Sequence, residues 1–170
     1  MEKWDLYNVD RQPLNQTHNR LEAMARGTYH IVVSIWTVNS QNQVLATLRH
    51  PKKDKYPNFW ENTAGSVLAG ETSRQGARRE LLEETGINVE EEALQFLDTI
   101  KELTAFVDLY IVRKDVAIEE LVMQEGETVD AKWVSLEQLD EMIDKGFIAE
   151  PVAQRLVPVR KAIEQLMYGE

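Results

Sequence analysis

The sequence predicts a mixed α/β fold in which β-strands surround one central helix and further helices end the chain. Segments rich in β-branched and aromatic residues, which favour strands, lie on both sides of residues 70–86. Residues 70–86 consist largely of good helix formers, chiefly Glu, Arg and Leu, and have a glycine at each end, which indicates a helix. No repeat, low-complexity tract or linker interrupts this order, so we expect a single domain over residues 1–170. Its core would cover about 28–160, preceded by an N-terminal strand and loop at 1–27.

Seven segments have the composition of strands. A turn at 39–42 predicts that the second and third of them form a hairpin, and the fifth and sixth would form an antiparallel pair. Residues 11–26 are polar, with a short helical pattern at 20–25. The predicted strands are 4–9, 29–38, 44–48, 58–63, 94–100, 103–112 and 129–134.

Three longer helices are predicted from their caps and from the spacing of their apolar residues. The first begins after 70–73, where a hydroxyl side chain can cap its first turn, and it ends at Gly86. The second begins at Ser135, which fits a capping box with Gln138 and precedes apolar residues on one helical face. The third covers about 151–167 and begins near a proline.

Composition excludes several classes of function. The chain is 43% hydrophobic, carries a net charge of −10 and contains no cysteine, which excludes disulfides, thiolate zinc sites and a cysteine nucleophile. The negative charge argues against binding to nucleic acids or to acidic membranes. No apolar run reaches the length of a membrane span, and the first ten residues lack the pattern of a signal peptide. We therefore expect a cytoplasmic protein that acts on a small molecule.

The most specific feature is the segment GSVLAGETSRQGARRELLEETGI at 65–87. It fills every position of the pattern G-x5-E-x7-R-E-U-x-E-E-x-G-U, in which U is aliphatic. Each fixed position would match by chance about one time in ten to twenty, so chance does not explain the complete pattern. The matching residues are Gly65, Glu71, Arg79, Glu80, Leu81, Glu83, Glu84, Gly86 and Ile87.

Three carboxylates of this segment share one side of the predicted helix. A helical residue advances about 100°, so Glu80, Glu83 and Glu84 lie within a sector of about 100°. Such carboxylates repel one another unless a positive group lies among them, and oxygen ligands suit Mg²⁺ or Mn²⁺. A glutamate-rich helix face is usually only solvated, and Arg79 with Glu83 is also the spacing of an ordinary ion pair. The flanking glycines and Glu71 favour the metal site.

The segment resembles the Nudix box, the catalytic signature of Nudix hydrolases. The resemblance implies an α/β/α sandwich with a mixed sheet and a central Nudix-box helix. It implies a pyrophosphohydrolase that uses Mg²⁺ or Mn²⁺ to cleave a phosphoric anhydride bond in a nucleoside-diphosphate-type substrate. By resemblance, the metal ligands are Glu80, Glu84, Glu83 (directly or through water) and the carbonyl of Gly65. Arg79 would orient the glutamates, and Glu71 would support the loop before the helix.

The resemblance also implies an acidic residue outside the box. Glu127 lies six residues before Trp133, the spacing at which Nudix hydrolases often carry a loop glutamate, and Glu125 is its competitor in the same loop. We expect Glu83 and Glu127 to be the catalytic carboxylates. The basic residues Arg49 and Lys53 would either bind substrate phosphates or only form a solubilising turn.

Further segments resemble the Nudix branch that includes isopentenyl-diphosphate isomerase. They are Trp4-Asp-x-Tyr7, Gly27-Thr-Tyr-His30 and Pro57-Asn-Phe-Trp60. The isomerases carry a cysteine and a metal-binding histidine where this chain has Ala64 and Ser66, so hydrolysis is favoured over isomerisation. An isomerase-like enzyme and a noncatalytic nucleotide-binding domain remain the alternatives, and a homodimer is possible. Without those partners, His30 is expected to be a packed residue rather than a ligand.

Overall fold

The computed structural model describes residues 1–169, which form nine strands, four α-helices and three short 3₁₀ segments. The strands are β1 Lys3–Tyr7, β2 Pro13–Asn19, β3 His30–Val38, β4 Val44–Arg49, β5 Trp60–Glu61, β6 Thr63–Ser66, β7 Gln95–Lys101, β8 Ala105–Arg113 and β9 Thr128–Val134. The α-helices are α1 Ser73–Thr85, α2 Leu136–Asp144, α3 Glu150–Leu156 and α4 Arg160–Tyr168. The 3₁₀ segments are Glu91–Ala93, Ile118–Glu120 and Val157–Val159.

The central sheet has seven strands and is mixed. Its main path is β5-β4-β3-β8-β7, with β6 paired to β3 and β9 paired to β4. Strands β3 and β8 are parallel along their whole length, from His30 opposite Ala105 to Val38 opposite Arg113. The other pairs in this sheet are antiparallel.

The side chains of β3 alternate between two apolar cores. Val33 and Ile35 pack in the core that includes Ala77 and Leu81 of α1. Trp36 belongs to the other core, which includes residues of α2, α3 and α4. Because side chains alternate between the faces of a strand, the sheet is covered by α1 on one face and by the other helices on the opposite face. The predicted α/β/α sandwich with a mixed sheet and a central box helix is confirmed.

Helix α1 begins and ends where the sequence predicts. Thr72 forms a capping box with Gln75: the Gln75 amide donates to the Thr72 hydroxyl at 3.1 Å, and the Thr72 amide donates to the Gln75 side chain at 2.9 Å. Gly86 follows the helix with a φ of 76°, a conformation that glycine adopts without steric cost. Ala77 and Leu81 are fully buried against the sheet. The glutamates of α1 are thereby directed away from the core.

The prediction of a short helix at 20–25 is wrong. The polar residues just before this segment form a strand. Residues Pro13–Asn19 form β2, which pairs with β1 in a two-stranded sheet, with Trp4 opposite His18. The interstrand hydrogen bonds satisfy the polar backbone of both strands. Residues 20–25 form a turn and irregular chain after β2, because the helical preference of a few polar residues is too weak to form a helix without packing.

Other predicted elements differ in extent. The single helix predicted at 151–167 is divided into α3 and α4 by a 3₁₀ turn containing Pro158, because proline has no backbone N–H and cannot continue the helical hydrogen bonds. The predicted strand 58–63 is two short strands, β5 and β6. The predicted hairpin of β3 and β4 pairs only at Val38 and Val44, because β4 pairs mainly with β9.

The β1–β2 hairpin is fixed to the rest of the fold by backbone and side-chain bonds. Tyr7 and Tyr29 exchange backbone hydrogen bonds of 2.8 and 2.9 Å, and the Ala69 amide donates to the Lys3 carbonyl at 2.8 Å. The guanidinium of Arg11 donates to both oxygens of the buried Asp108 at 2.6 Å. The hairpin therefore lies against the loop that leads into α1. Among residues 1–169, none of the helices has the length and apolarity needed to cross a bilayer.

The docking of α1 predicts different costs for two neighbouring leucines. Leu81 is 0% exposed and Leu82 is 47% exposed, so the same truncation tests burial at adjacent positions. Leu81→Ala should lower the free energy of unfolding by about 2–5 kcal/mol through lost packing and a residual cavity. Leu82→Ala should change it by no more than about 0.5 kcal/mol. Urea unfolding measures both, and equal losses would contradict the docking of α1 described here.

Candidate active site

All predicted site residues except the supporting Glu71 and Arg79 line one polar cavity of about 260 Å³ between the second half of α1, strand β6 and the loops before β5 and β9. The cavity contains the predicted metal ligands, the predicted catalytic glutamates and the two predicted phosphate contacts. It also contains two residues of the N-terminal hairpin region that sequence reasoning did not identify. The lining residues are Glu2, Arg20, Arg49, Lys53, Ala64, Gly65, Ser66, Glu80, Glu83, Glu84, Gln124 and Glu127.

Arg79 connects the loop before α1 to the glutamates of the helix. Its Nε and Nη2 donate to the two oxygens of Glu71 at 2.8 and 2.9 Å, and Nη2 also donates to the Ser66 carbonyl at 2.9 Å. Its Nη1 donates to Glu80 at 2.9 Å and to Glu83 at 3.2 Å. Burial acts to raise the pKa of Glu71, but the hydrogen bonds from Arg79 and the Leu68 amide outweigh burial and lower that pKa. Glu71 is thus a charged partner that fixes Arg79.

Glu80 lies directly against Gly65. A Cβ atom built on Gly65 would overlap the carboxylate of Glu80, so only glycine leaves room for this side chain. Burial raises the pKa of Glu80 to about 7, and the negative charges of Glu83 and Glu2 act in the same direction, against the effect of Arg79. Glu80 therefore holds its proton more strongly than an ordinary glutamate when no cation is near.

Glu84 experiences the same crowding. Its pKa is raised first by burial and then by the negative charges of Glu61 and Glu80, and a backbone hydrogen bond from Ala64 only partly offsets these effects. Arg79 bonds Glu71, Glu80 and Glu83 but not Glu84. The helix therefore presents more negative charge to the cavity than Arg79 neutralises.

The donors in this cavity fit a divalent cation such as Mg²⁺ or Mn²⁺. They are the carboxylates of Glu80, Glu83, Glu84 and Glu127 and the carbonyl of Gly65, all oxygen ligands. Burial first, and then neighbouring carboxylates, raises the pKa values of Glu80 and Glu84, so a bound cation would stabilise the ionised forms of these two side chains. In residues 1–169, no group of three or more acidic or histidine side chains is already arranged as a metal shell. Glu80 and Glu83 instead accept hydrogen bonds from Arg79.

Of the two candidate loop acids, Glu127 lines the cavity and Glu125 does not. The carbonyl of Glu127 accepts a hydrogen bond from the His50 amide at 2.9 Å, which joins its loop to the end of β4. Its side chain forms an ion pair with Lys53 and is 42% exposed. The structure thus places Glu127 and Lys53 side by side at the cavity.

Arg49 lines the cavity, but its guanidinium is already engaged. Its Nη1 donates to both oxygens of Glu61 at 3.2 and 3.1 Å, and its Nε and Nη2 donate to the carbonyl of Lys55 at 3.0 and 2.8 Å. Glu61 was not identified from the sequence, because it lies in a two-residue strand outside any motif. Its side chain is only 15% exposed, and burial raises its pKa in spite of Arg49.

Glu2 and Arg20 were also missed. Their side chains form an ion pair of 2.7 Å, because the pairing of β1 with β2 brings residue 2 and residue 20 side by side. No local pattern marks either residue, and only the pairing of β1 with β2 could have identified them.

His30 is a packed residue, as expected. It is 7% exposed and stacks on Trp4, with ring centroids 3.9 Å apart and planes tilted by 10°. Burial lowers the pKa of His30 to about 4, so the imidazole is neutral at pH 7.

Comparison with known proteins identifies the family. The NUDIX domain profile matches residues 28–156, and this chain belongs to the Nudix family. An uncharacterized Nudix hydrolase of Listeria monocytogenes is 36% identical over 147 residues, which are 86% of this chain and 87% of that protein. The chain is thus an enzyme of the Nudix hydrolase class. The finer resemblance to the isomerase branch stays a prediction.

Solved structures agree with the fold. A crystal structure from Deinococcus radiodurans superposes with a TM-score of 0.72 and 26% identity, covering 87% of this chain and 92% of that one. A bifunctional NMN adenylyltransferase/ADP ribose pyrophosphatase of Francisella tularensis, complexed with AMP and a Mn ion, superposes with a TM-score of 0.66. It is 20% identical and covers 84% of this chain and 44% of that one, so it shows the fold alone.

The raised pKa of Glu80 predicts how stability of the metal-free protein depends on pH. Between its ordinary pKa of 4.5 and its folded pKa of about 7, the folded protein keeps a proton that the unfolded chain has lost. The contribution of Glu80 to stability is therefore present below pH 4.5 and is lost as the pH rises toward 7. Glu80→Gln should accordingly gain stability relative to wild type over this interval.

This difference is measured by urea unfolding in EDTA at a series of pH values. The exposed Glu92→Gln is the matched control, and its stability should follow that of wild type at each pH. A constant difference between Glu80→Gln and wild type across the interval would contradict the environment described for Glu80.

Proposed function

We propose that this enzyme hydrolyses a phosphoric anhydride bond in a nucleoside-diphosphate-type substrate and that it requires Mg²⁺ or Mn²⁺. One observation carries the proposal: the box carboxylates, the loop acid Glu127 and the basic Lys53 line the same cavity. Carboxylates suit a cation, and a basic side chain suits the phosphate that the cation also binds. In this proposal the polar cavity holds the diphosphate group, and the rest of the small substrate lies outside the cavity.

The chain's own groups divide into those that hold the cation and those that orient its ligands. Glu80 and Glu84 are the proposed direct ligands, with Glu83 and the Gly65 carbonyl as further ligands. Arg79 and Glu71 keep the helix glutamates fixed relative to the loop. When bound, a divalent cation supplies positive charge that neutralises the diphosphate and favours attack by water.

Proton removal is assigned to an accessible carboxylate. The side chains of Glu127 and Glu83 are 42% and 46% exposed, so water can reach both. A base must lie within hydrogen-bond reach of the attacking water. Glu127 reaches the cavity from the loop before β9, whereas the proposed glutamate ligands belong to α1. We assign the base to Glu127, with Glu83 as the second candidate. Lys53 contacts Glu127 and is the proposed contact for a substrate phosphate.

The kind of substrate is proposed from the chemistry of the cavity, and one structural neighbour illustrates it. The Francisella tularensis neighbour is named as an ADP ribose pyrophosphatase and is complexed with AMP and a Mn ion. A net charge of −10 disfavours a polyanionic nucleic acid. A small nucleoside diphosphate derivative therefore fits better than RNA or DNA. A cytoplasmic location, which rests on the composition, and a homodimer belong to the same proposal.

A substrate panel tests the proposal. ADP-ribose, dinucleotides, nucleotide sugars and nucleoside triphosphates are incubated with the enzyme and Mg²⁺ or Mn²⁺, and products are identified by mass. Release of a nucleoside monophosphate, phosphate or pyrophosphate, abolished by EDTA, is expected for at least one member. Isopentenyl diphosphate is included, because its rearrangement without release of phosphate would replace hydrolysis by isomerisation. No reaction with any member would oppose the proposal.

Glu84→Gln should lower kcat about 100-fold or more, because one charged ligand in metal-assisted transfer contributes about that factor. The variant should remain folded, since neutralising Glu84 removes repulsion from Glu61 and Glu80. Turnover of the best panel substrate at saturating Mg²⁺ is measured together with thermal unfolding. The exposed Glu92→Gln serves as the control. Wild-type turnover in Glu84→Gln would remove Glu84 from the metal site.

Glu127→Gln should lower kcat while leaving stabilisation by Mg²⁺ intact, because a base acts in the reaction and not in holding the metal. Metal stabilisation is measured as the rise in melting temperature between EDTA and millimolar Mg²⁺. If Glu127 is a ligand instead, both quantities fall together. Glu125→Gln is the matched control, because Glu125 shares the loop but does not line the cavity. Equal losses in the two variants would show that loop charge, and not a specific base, matters.

A further inference from the structure

The cavity contains one basic side chain that the box pattern and the loops around it do not explain. Arg20 follows strand β2, and Glu2 precedes strand β1. The Arg20 amide donates to the Glu2 carbonyl at 3.1 Å, and Nη1 of Arg20 donates to Oε2 of Glu2 at 2.7 Å. Both side chains line the cavity together with Gly65 and Glu80. The N-terminal segment therefore forms part of the wall of the candidate active site.

The position of this segment is set by the fold. Both terminal nitrogens of Arg11 donate to Asp108, whose side chain is 2% exposed, and the Ser73 hydroxyl donates to the same carboxylate at 2.6 Å. Ser73 is the first residue of α1. The hairpin is thus bonded to the start of the helix that carries the box glutamates, and Arg20 lies at its end. A firmly held element can present a binding side chain with little loss of freedom on binding.

Arg20 is the least engaged of the cations in this cavity. All three guanidinium nitrogens of Arg49 donate to Glu61 or to the Lys55 carbonyl, and Lys53 is paired with Glu127. Within residues 1–169, Arg20 uses only Nη1 in a side-chain hydrogen bond, to Glu2. The Arg20 and Glu2 side chains are 56% and 41% exposed, and exposed ion pairs contribute little to stability. Exchange of the Glu2 carboxylate for another anion is therefore inexpensive.

We propose that Arg20 binds a phosphate group of the diphosphate substrate, exchanging its Glu2 partner for a phosphate oxygen. The proposal rests on the proposed function, since it assigns a binding residue to the same cavity. Guanidinium is planar and presents parallel N–H groups, so it matches phosphate oxygens with two hydrogen bonds at once.

Arg20 and Lys53 reach the cavity from different parts of the chain. Arg20 follows β2 and pairs with Glu2, which precedes β1. Lys53 follows β4 and pairs with Glu127, which precedes β9. The two basic side chains therefore belong to separate elements of the cavity wall. Two basic contacts at different places suit a substrate with two linked phosphates.

The test measures binding as well as turnover. The probe is α,β-methylene-ADP, in which a carbon replaces the bridging oxygen, so that it keeps two phosphates but cannot be hydrolysed between them. Its dissociation constant is measured by calorimetry with Mg²⁺ present. Arg20→Ala should weaken binding about 10-fold or more, the effect of losing a charged hydrogen bond. Arg20→Lys should give an intermediate loss, because lysine keeps the charge but not the paired N–H groups.

Two more variants complete the test. Glu2→Gln should bind the analogue more tightly than wild type, because it removes both the competing carboxylate and a negative charge beside the phosphates. Arg26→Ala removes the same charge from an exposed residue of the following segment that does not line the cavity, and it should bind like wild type. Stabilisation by Mg²⁺ should be the same in Arg20→Ala as in wild type. Weaker binding in Glu2→Gln would overturn the exchange.

The outcomes separate this proposal from the proposed function. If wild type hydrolyses a panel substrate and Arg20→Ala binds the analogue as tightly as wild type does, the assignment of Arg20 is wrong and the proposed function stands. If the wild-type enzyme hydrolyses no panel substrate but binds the analogue, and Arg20→Ala binds the analogue more weakly, the proposed function is wrong and the assignment of Arg20 stands. If wild type does not bind the analogue, the assignment of Arg20 is overturned.

Discussion

The guanidinium group of Arg79 holds the candidate active site together. It bonds Glu71 in the loop, Glu80 and Glu83 in the helix, and the carbonyl of Ser66 in the strand before them. Without this shared donor, the three carboxylates would repel one another and the Ser66 carbonyl would lose its hydrogen bond. One positive charge cannot balance three carboxylates, and Glu84 lies beyond its hydrogen bonds. Burial is the main reason why the pKa values of Glu80 and Glu84 are raised, and the neighbouring carboxylates add to it; buried carboxylates with too little positive charge near them make the site suitable for a cation.

The geometry of the site follows from two close approaches of helix α1. Fully buried Ala77 and Leu81 bring the helix onto the sheet, and this sets which face its glutamates occupy. The absence of a side chain at Gly65 lets the Glu80 carboxylate lie against strand β6. Packing on one side of the helix and charge on the other are therefore two results of one docking arrangement. A change that moved the helix would alter both.

Much of the fold and of the site could be predicted because their causes are local. The box occupies a short stretch in which a capping box, a glycine stop and the spacing of glutamates all act within one helix and its loop. Glu127 could be predicted from a spacing to Trp133. The paired hairpin, the break at Pro158 and the burial of Glu61 were not predicted. The polar composition of β2 hid the hairpin, the burial of Glu61 depends on tertiary packing, and the proline was overlooked although its effect is local. Arg20 and Glu2 show this limit most clearly, because neither belongs to a local pattern.

The parallel pairing of β3 with β8 has a consequence for how the enzyme folds. Four strands and the box helix lie between these partners along the chain, so their pairing must close a long loop before its hydrogen bonds form. Strands β3 and β6 and helix α1 are much closer in sequence and can meet earlier. The box and its sheet support would then be assembled as an early nucleus, whereas Asp108 on β8, which anchors Arg11, arrives later. The slow step of folding would therefore complete the attachment of the N-terminal hairpin rather than form the carboxylate cluster itself.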